Sequence, residues 1–192
     1  MIENNKKYII DHFDNLAKHR SSWIKKSYGF YSEDIRVMKE IIPQNSKILE
    51  IGCGTGHLIA ALKPSYGVGI DISKKMIDEA KTEFKNIDFI HGDIENANIF
   101  KNINSDFDYI IISDTIGYFI DIEKVLNKLH NICNSDTRII IAYYSPFWEP
   151  ILNLAAKLKY KMPELPKALL NEVDVSDLLK SSKSETVKKQ NK

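Results

Sequence analysis

Ile110-Ile111-Ile112 and Ile139-Ile140-Ile141 are β-branched runs with no polar residue between their members. A strand with one wet face alternates apolar and polar side chains, whereas a strand covered on both faces does not. These runs suit a parallel sheet with helices on either side. Three more segments read as strands: Lys47-Ile48-Leu49-Glu50-Ile51, Tyr66-Gly67-Val68-Gly69-Ile70 and residues 87–91. The isoleucine runs belong to strands over 107–113 and 137–144. Helical spacing fills the intervals. Ser73 is placed to cap a helix with Met76, Ile77, Ala80 and Phe84 on one face, and Asp121 to cap one carrying Ile122, Val125, Leu126, Leu129 and Ile132. Strands alternating with helices predict a doubly wound α/β domain.

The 192 residues suit a single domain with a substantial core. Residues 1–42 read as a helical amino-terminal cover, 47–145 as the core, and 146–192 as a helical segment with a polar, Lys-rich tail. The cover carries Ile9, Ile10, Phe13 and Leu16 on one stripe, then a second helix over 32–42 that Pro43 closes. The 27 Lys and Arg against 26 Asp and Glu leave a net charge of +1, which gives no general electrostatic reason to expect nucleic acid. No apolar run approaches the length of a bilayer span, and the amino terminus lacks the apolar core of a signal peptide. Two cysteines, Cys53 and Cys133, neither frame a disulfide scaffold nor show metal-ligand spacing, so no metal site and a reducing cytoplasm are expected.

The first strand runs into Gly52-Cys53-Gly54-Thr55-Gly56. A turn this rich in glycine lets a ligand approach the backbone closely and presents free N–H groups at a helix start. An ordinary tight turn does not need three glycines at alternate positions. A dinucleotide fingerprint, Gly-x-Gly-x-x-Gly, would place its third glycine at residue 57, where this chain has His57. Asp71 closes the second strand, where a carboxylate can hold two ribose hydroxyls in either kind of protein. Glu50, directly before the loop, would repel a pyrophosphate but suits a ligand bearing ammonium or sulfonium charge.

Glu50-Ile51-Gly52-Cys53-Gly54-Thr55-Gly56 resembles the first motif of class I S-adenosylmethionine-dependent methyltransferases, and Val68-Gly69-Ile70-Asp71-Ile72-Ser73 their acidic second-strand motif. Phe89-Ile90-His91-Gly92-Asp93-Ile94 and Phe107-Asp108-Tyr109-Ile110-Ile111-Ile112-Ser113 are similar to the stretches at strands three and four. The resemblance spans residues 47–145 and implies a Rossmann-like fold with S-adenosyl-L-methionine as cofactor. By position it implies that Gly52, Gly54 and Gly56 pack against the methionine moiety and ribose, with Glu50 near the amino group. Asp71 would bind the ribose hydroxyls and Ile72 would lie against adenine. Asp93 and the Ile94 N–H would meet the adenine edge, and the Ser113 carbonyl would meet the methionine amino group. His91 and Cys53 read as a strand-end residue and a loop filler.

Methyl transfer to a small-molecule, lipid-linked or saccharide acceptor is the activity implied; a non-catalytic protein keeping the fold and an NAD-dependent oxidoreductase are the alternatives. Displacement at a sulfonium carbon needs alignment and exclusion of water, and a base only when the nucleophile starts protonated. No residue announces itself as that base. Ser113-Asp114-Thr115-Ile116 is not the Asn/Asp-Pro-Pro-Tyr pattern of enzymes that methylate nucleic-acid bases. Asp114 and Tyr118 stand where an acceptor arrives but read as solvated loop residues, and His12 and His19 as ordinary histidines of the cover. Trp23, Tyr28, Phe30 and Tyr31 either shape an acceptor pocket or pack a helix on the sheet.

The aromatic Pro146-Phe147-Trp148 and the following helix, with Leu152, Leu158, Lys157, Lys159 and Lys161, could line the same pocket or lie on a membrane surface, although Glu149 interrupts the aromatic end. In the family, a helix and an antiparallel strand pair complete a seven-stranded sheet after strand five. Residues 174–180 can supply that helix and Glu185-Thr186-Val187-Lys188-Lys189 can begin the next strand, which leaves the pair incomplete at Lys192. The expectation is a shortened chain, or a homo-oligomer whose partner shields the open edge.

Overall fold

In the computed structural model, β1 (Lys47–Ile51), β2 (Tyr66–Asp71), β3 (Asp88–His91), β4 (Tyr109–Ser113) and β5 (Arg138–Ala142) form one parallel sheet in the order β3-β2-β1-β4-β5. The structure describes residues 2–181 apart from 102, 104, 105, 145, 164, 169 and 171. Leu49 stands between Val68 and Ile110 in register. Alternation along the strands explains the isoleucine runs. Ile48 and Ile111 turn to one face, against Met38, Ile59 and Ile77 from α2 (Tyr28–Ile41), α3 (His57–Leu62) and α4 (Lys74–Glu83). Leu49, Ile110 and Ile112 turn to the other, against Val125 and Leu129 from α5 (Ile122–His130). Ile110, Ile111 and Ile112 are all fully buried. Each contributes on the order of 1.5 to 3 kcal/mol through removal from water. The fold is the doubly wound, Rossmann-like α/β architecture.

Both caps form as the sequence implies. The Ser73 hydroxyl accepts from Met76 N at 3.2 Å, and Asp121 Oδ1 accepts from Lys124 N at 2.9 Å. Several ends differ from the predicted ones. β4 begins at Tyr109 because Asp108 brackets the start of β1, donating its N–H to the Lys47 carbonyl and accepting from Lys47 N. Phe107 instead stacks on Tyr66, centroids 5.9 Å apart. β5 loses Thr137 to a turn in which its hydroxyl donates to the Phe107 carbonyl at 2.8 Å. The cover is α1 (Ile2–Lys26) and α2, broken at Ser27, so the second helix starts earlier than residue 32.

α1 lies along α4. Asp14 Oδ1 accepts from the Ser73 hydroxyl at 2.5 Å and from Lys75 N at 3.2 Å, and the Ser21 hydroxyl donates to Glu83 at 3.0 Å. After β5 come α6 (Glu149–Lys157) and α7 (Glu172–Ser181); α7 extends beyond both predicted ends of the last helix and packs beside α5. The described residues hold five strands, with β3 and β5 at the edges. The predicted strand over 185–189 lies outside them.

Candidate functional site

The strand order reverses between β1 and β4, which is where an open α/β sheet parts to make a crevice at its carboxyl edge. The loops after these two strands interlock there. Gly52 has φ of +73°, and a Cβ on it would lie 2.1 Å from Thr115 Oγ1, so the Thr115 side chain occupies the space the glycine leaves. The Thr115 hydroxyl in turn donates to the Ser113 carbonyl at 3.0 Å. Gly54, with φ of +52°, faces the crevice itself: its missing Cβ would meet Arg20 Nε of α1 at 3.0 Å.

Asp71 ties this loop to the second strand. Its Oδ2 accepts from Gly54 N and its Oδ1 from Ser73 N, both at 2.8 Å. Burial pushes its pKa above the ordinary carboxylate range, and the two N–H donors oppose that rise. Each oxygen keeps a lone pair for a hydroxyl, which is what a ribose-binding carboxylate needs. Asp93 stands across the crevice, its Oδ1 accepting from Glu95 N at 2.9 Å. The Lys6 ammonium bonds both Asp93 and Glu95, the latter at 2.8 Å.

The crevice holds about 130 Å³. Seven of the nine residues that the resemblance assigns to the cofactor line it: Gly52, Gly54, Asp71, Ile72, Asp93, Ile94 and Ser113. Glu50 and Gly56 are not part of its wall. Glu50 is buried on the α3 side, where its Oε2 accepts from Ile59 N at 3.1 Å, and burial raises its pKa to about 8. Gly56 makes room for Phe89, whose ring lies 2.5 Å from where a Cβ would be. Cys53 is buried beneath the loop, 2.8 Å from the Cβ position of Gly69, and burial pushes its thiol well above its ordinary pKa. His91 Nε2 sits 3.2 Å from the Ile72 carbonyl.

Asp114 and Tyr118 are not solvated loop residues. Both are half-buried in the cavity wall, and Tyr118 meets Phe13 edge to face at 5.4 Å. Lys6, Arg20 and Met162 also line the cavity and were not anticipated. The signal for the first two was present. Lys6, Ile9, Phe13 and Arg20 recur at intervals of three, four and seven, which is one helix face. Of the aromatic cluster in the cover, Tyr28 is exposed, while Trp23 lies under the Lys26 ammonium at 5.3 Å. Among the described residues no group of three His, Cys, Asp or Glu side chains could hold a metal ion.

Fold and cleft together set a glycine loop and an acidic strand end on one crevice of a doubly wound α/β domain. The profile of the family described as "Methyltransferase domain" matches residues 42–190. The chain is 28% identical over 158 residues to a demethylmenaquinone methyltransferase of Staphylococcus saprophyticus, covering 77% of this chain and 66% of that protein. The chain thus spans slightly less than two thirds of that relative's length. Among solved structures, it resembles a methyltransferase of Thermotoga maritima described as a possible histamine N-methyltransferase (TM-score 0.72, 18% identity, 91% of this chain and 80% of that one). It also resembles the magnesium protoporphyrin IX methyltransferase of Synechocystis with bound S-adenosylhomocysteine (TM-score 0.62, 16% identity, 93% and 88%). The chain belongs to the class I S-adenosylmethionine-dependent methyltransferase family, and its cofactor is S-adenosyl-L-methionine.

Proposed function

We propose that this protein transfers the methyl group of S-adenosylmethionine to a small-molecule acceptor. The observation that carries the reading is the Gly54 N–Asp71 hydrogen bond at the strand-order reversal, beside a glycine face that a Cβ would fill. The cofactor supplies a methyl group on a sulfonium, with a neutral thioether as its leaving group. Gly52 and Gly54 let the backbone approach it. Asp71 takes the ribose hydroxyls, Ile72 lies against the adenine, and Asp93 accepts from the adenine amino group beside the Ile94 N–H. The Ser113 carbonyl receives the methionine ammonium. Glu50 acts from behind the loop by fixing α3, and Gly56 by admitting Phe89. Phe13 and Tyr118 exclude water at the far end, where the acceptor approaches beside Asp114. The relatives' names point to chemically different acceptors, among them a quinone and a porphyrin. An acceptor free in solution or lipid-linked fits the reading; nucleic acid is not expected. Cys53 and Cys133 as free thiols fit a cytoplasmic setting, and a homo-oligomer would cover the β5 edge, which no further strand pairs among the described residues.

Calorimetry with S-adenosylmethionine, S-adenosylhomocysteine and NAD in parallel tests the reading. Binding of the first two is expected, and binding of NAD alone overturns it. Asp71→Ala is expected to cost about 1.5 to 3 kcal/mol of cofactor affinity, the range for hydrogen bonds to a charged group. Binding without turnover over a broad acceptor screen would instead favour a non-catalytic protein that keeps the cofactor.

Lys6 competes with adenine for Asp93 in this reading. Its ion pairs are partly exposed, so they hold α1 down by no more than about 1 kcal/mol. Lys6→Ala is therefore expected to tighten cofactor binding by up to about fivefold. A weakening would show that Lys6 closes over the ligand rather than competing with it.

A further inference from the structure

α6 and the turn before it carry a stripe of uncovered apolar side chains. Phe147 is 91% exposed, Ile151 56%, Leu154 57% and Leu158 59%. Their spacing of four, three and four puts them on one face of the helix. Leu152 and Ala156, on the opposite face, are half-buried, as is Ala155 at the stripe's flank, and no residue of α6 is fully buried. The helix thus rests lightly on the domain and presents its larger apolar residues outward. Trp148 and Tyr160, both exposed, extend the stripe at its two ends.

Cations gather at the Tyr160 end. Lys157 and Lys159 are exposed there. The Ser27 hydroxyl donates to the Tyr160 carbonyl, which brings the end of α1, with exposed Lys25 and Lys26, alongside. Tyr28, 67% exposed, follows directly. Glu149 is the acidic residue of α6 and sits at the opposite end. Met162, two residues beyond Tyr160, lines the ligand cavity, so the stripe adjoins the cavity wall.

We infer that this stripe docks on an anionic lipid surface. An apolar helix face flanked by lysines and amphipathic aromatics is the arrangement that buries its stripe among acyl chains while its ammonium groups meet lipid phosphates. The cationic belt selects negative lipid over neutral lipid. A helix with no buried residue can enter the interface without unpacking the domain. The surface and its test depend neither on the acceptor nor on turnover.

The full chain is to be sedimented with vesicles of phosphatidylcholine alone and with vesicles rich in phosphatidylglycerol. Binding to the anionic vesicles only is expected, weakening as salt is raised. Ile151→Asp combined with Leu154→Asp is expected to weaken that binding at least about tenfold, each aspartate adding charge to a face that must enter lipid. Both positions are exposed, so the melting temperature and S-adenosylmethionine affinity are expected to stay unchanged. Equal binding of this variant and the wild type overturns the inference, as does binding to neither kind of vesicle. Self-association without lipid that the same pair of substitutions abolishes also overturns it, and assigns the stripe to a second copy of the chain.

Discussion

Glu50→Gln is expected to remove a loss of stability that the wild-type protein suffers between about pH 4.5 and pH 8. Burial holds the Glu50 carboxyl at about 8 in the folded chain, against an ordinary value of 4.5. Below pH 4.5 both folded and unfolded chains keep the proton. Between the two values the unfolded chain releases it and the folded chain does not, so stability falls as pH rises. Above pH 8 the penalty is complete. Each pH unit of that gap is about 1.4 kcal/mol, which makes the loss on the order of 3 to 5 kcal/mol. A glutamine cannot ionise, and its amide oxygen can still accept from Ile59 N. Urea unfolding midpoints across this range check the expectation: the variant should lose less stability than the wild type, and two parallel curves would refute it.

The second large effect separates two glycines of one loop. Gly54→Val places a β-branched side chain in the crevice, at a backbone with φ of +52° and with Arg20 Nε 3.0 Å from the new Cβ. Arg20 is a long side chain that can swing aside, so the fold cost is about 1 to 2 kcal/mol from the left-handed backbone. Cofactor affinity is expected to fall at least about 100-fold, because the added carbons fill the ligand's space. Gly52→Val meets Thr115 at 2.1 Å and is expected to act on stability first. Melting curves beside calorimetry distinguish the two. A Gly54→Val protein that binds the cofactor as the wild type does would refute the assigned site.

The isoleucine runs announced a doubly covered sheet because strand alternation sends Ile111 one way and Ile110 and Ile112 the other, each into apolar company. Ser73 and Asp121 were legible because capping is a local interaction between a side chain and the N–H three residues on. The contribution of α1 was harder to read. Lys6 and Arg20 are charged, and charged residues on an amphipathic helix ordinarily face water. Only the docking of α1 on α4, through Asp14 and residues some 60 positions away, turns that face into the cleft. Glu50 illustrates a different limit. Its residue type suits a cationic ligand, but the two-residue period of β1 puts it on the side of Ile48, beneath α3. Parity outranks chemistry at that position.

Anyone redesigning this protein for a new acceptor inherits a constraint from Thr115. Its side chain fills the notch at Gly52 and its hydroxyl holds the Ser113 carbonyl, so the cofactor loop and the loop after β4 are keyed together at one residue. Tyr118 and Phe119 lie further along the same cavity wall, and the Tyr118 hydroxyl donates to the Leu165 carbonyl at 3.3 Å, away from the cofactor loop. Libraries that diversify those two positions and Phe13 can reshape the far end of the cavity while the cofactor end keeps its geometry. Libraries that include Thr115 would trade both ends at once, and most of their members would be lost to misfitted loops before any acceptor was tried.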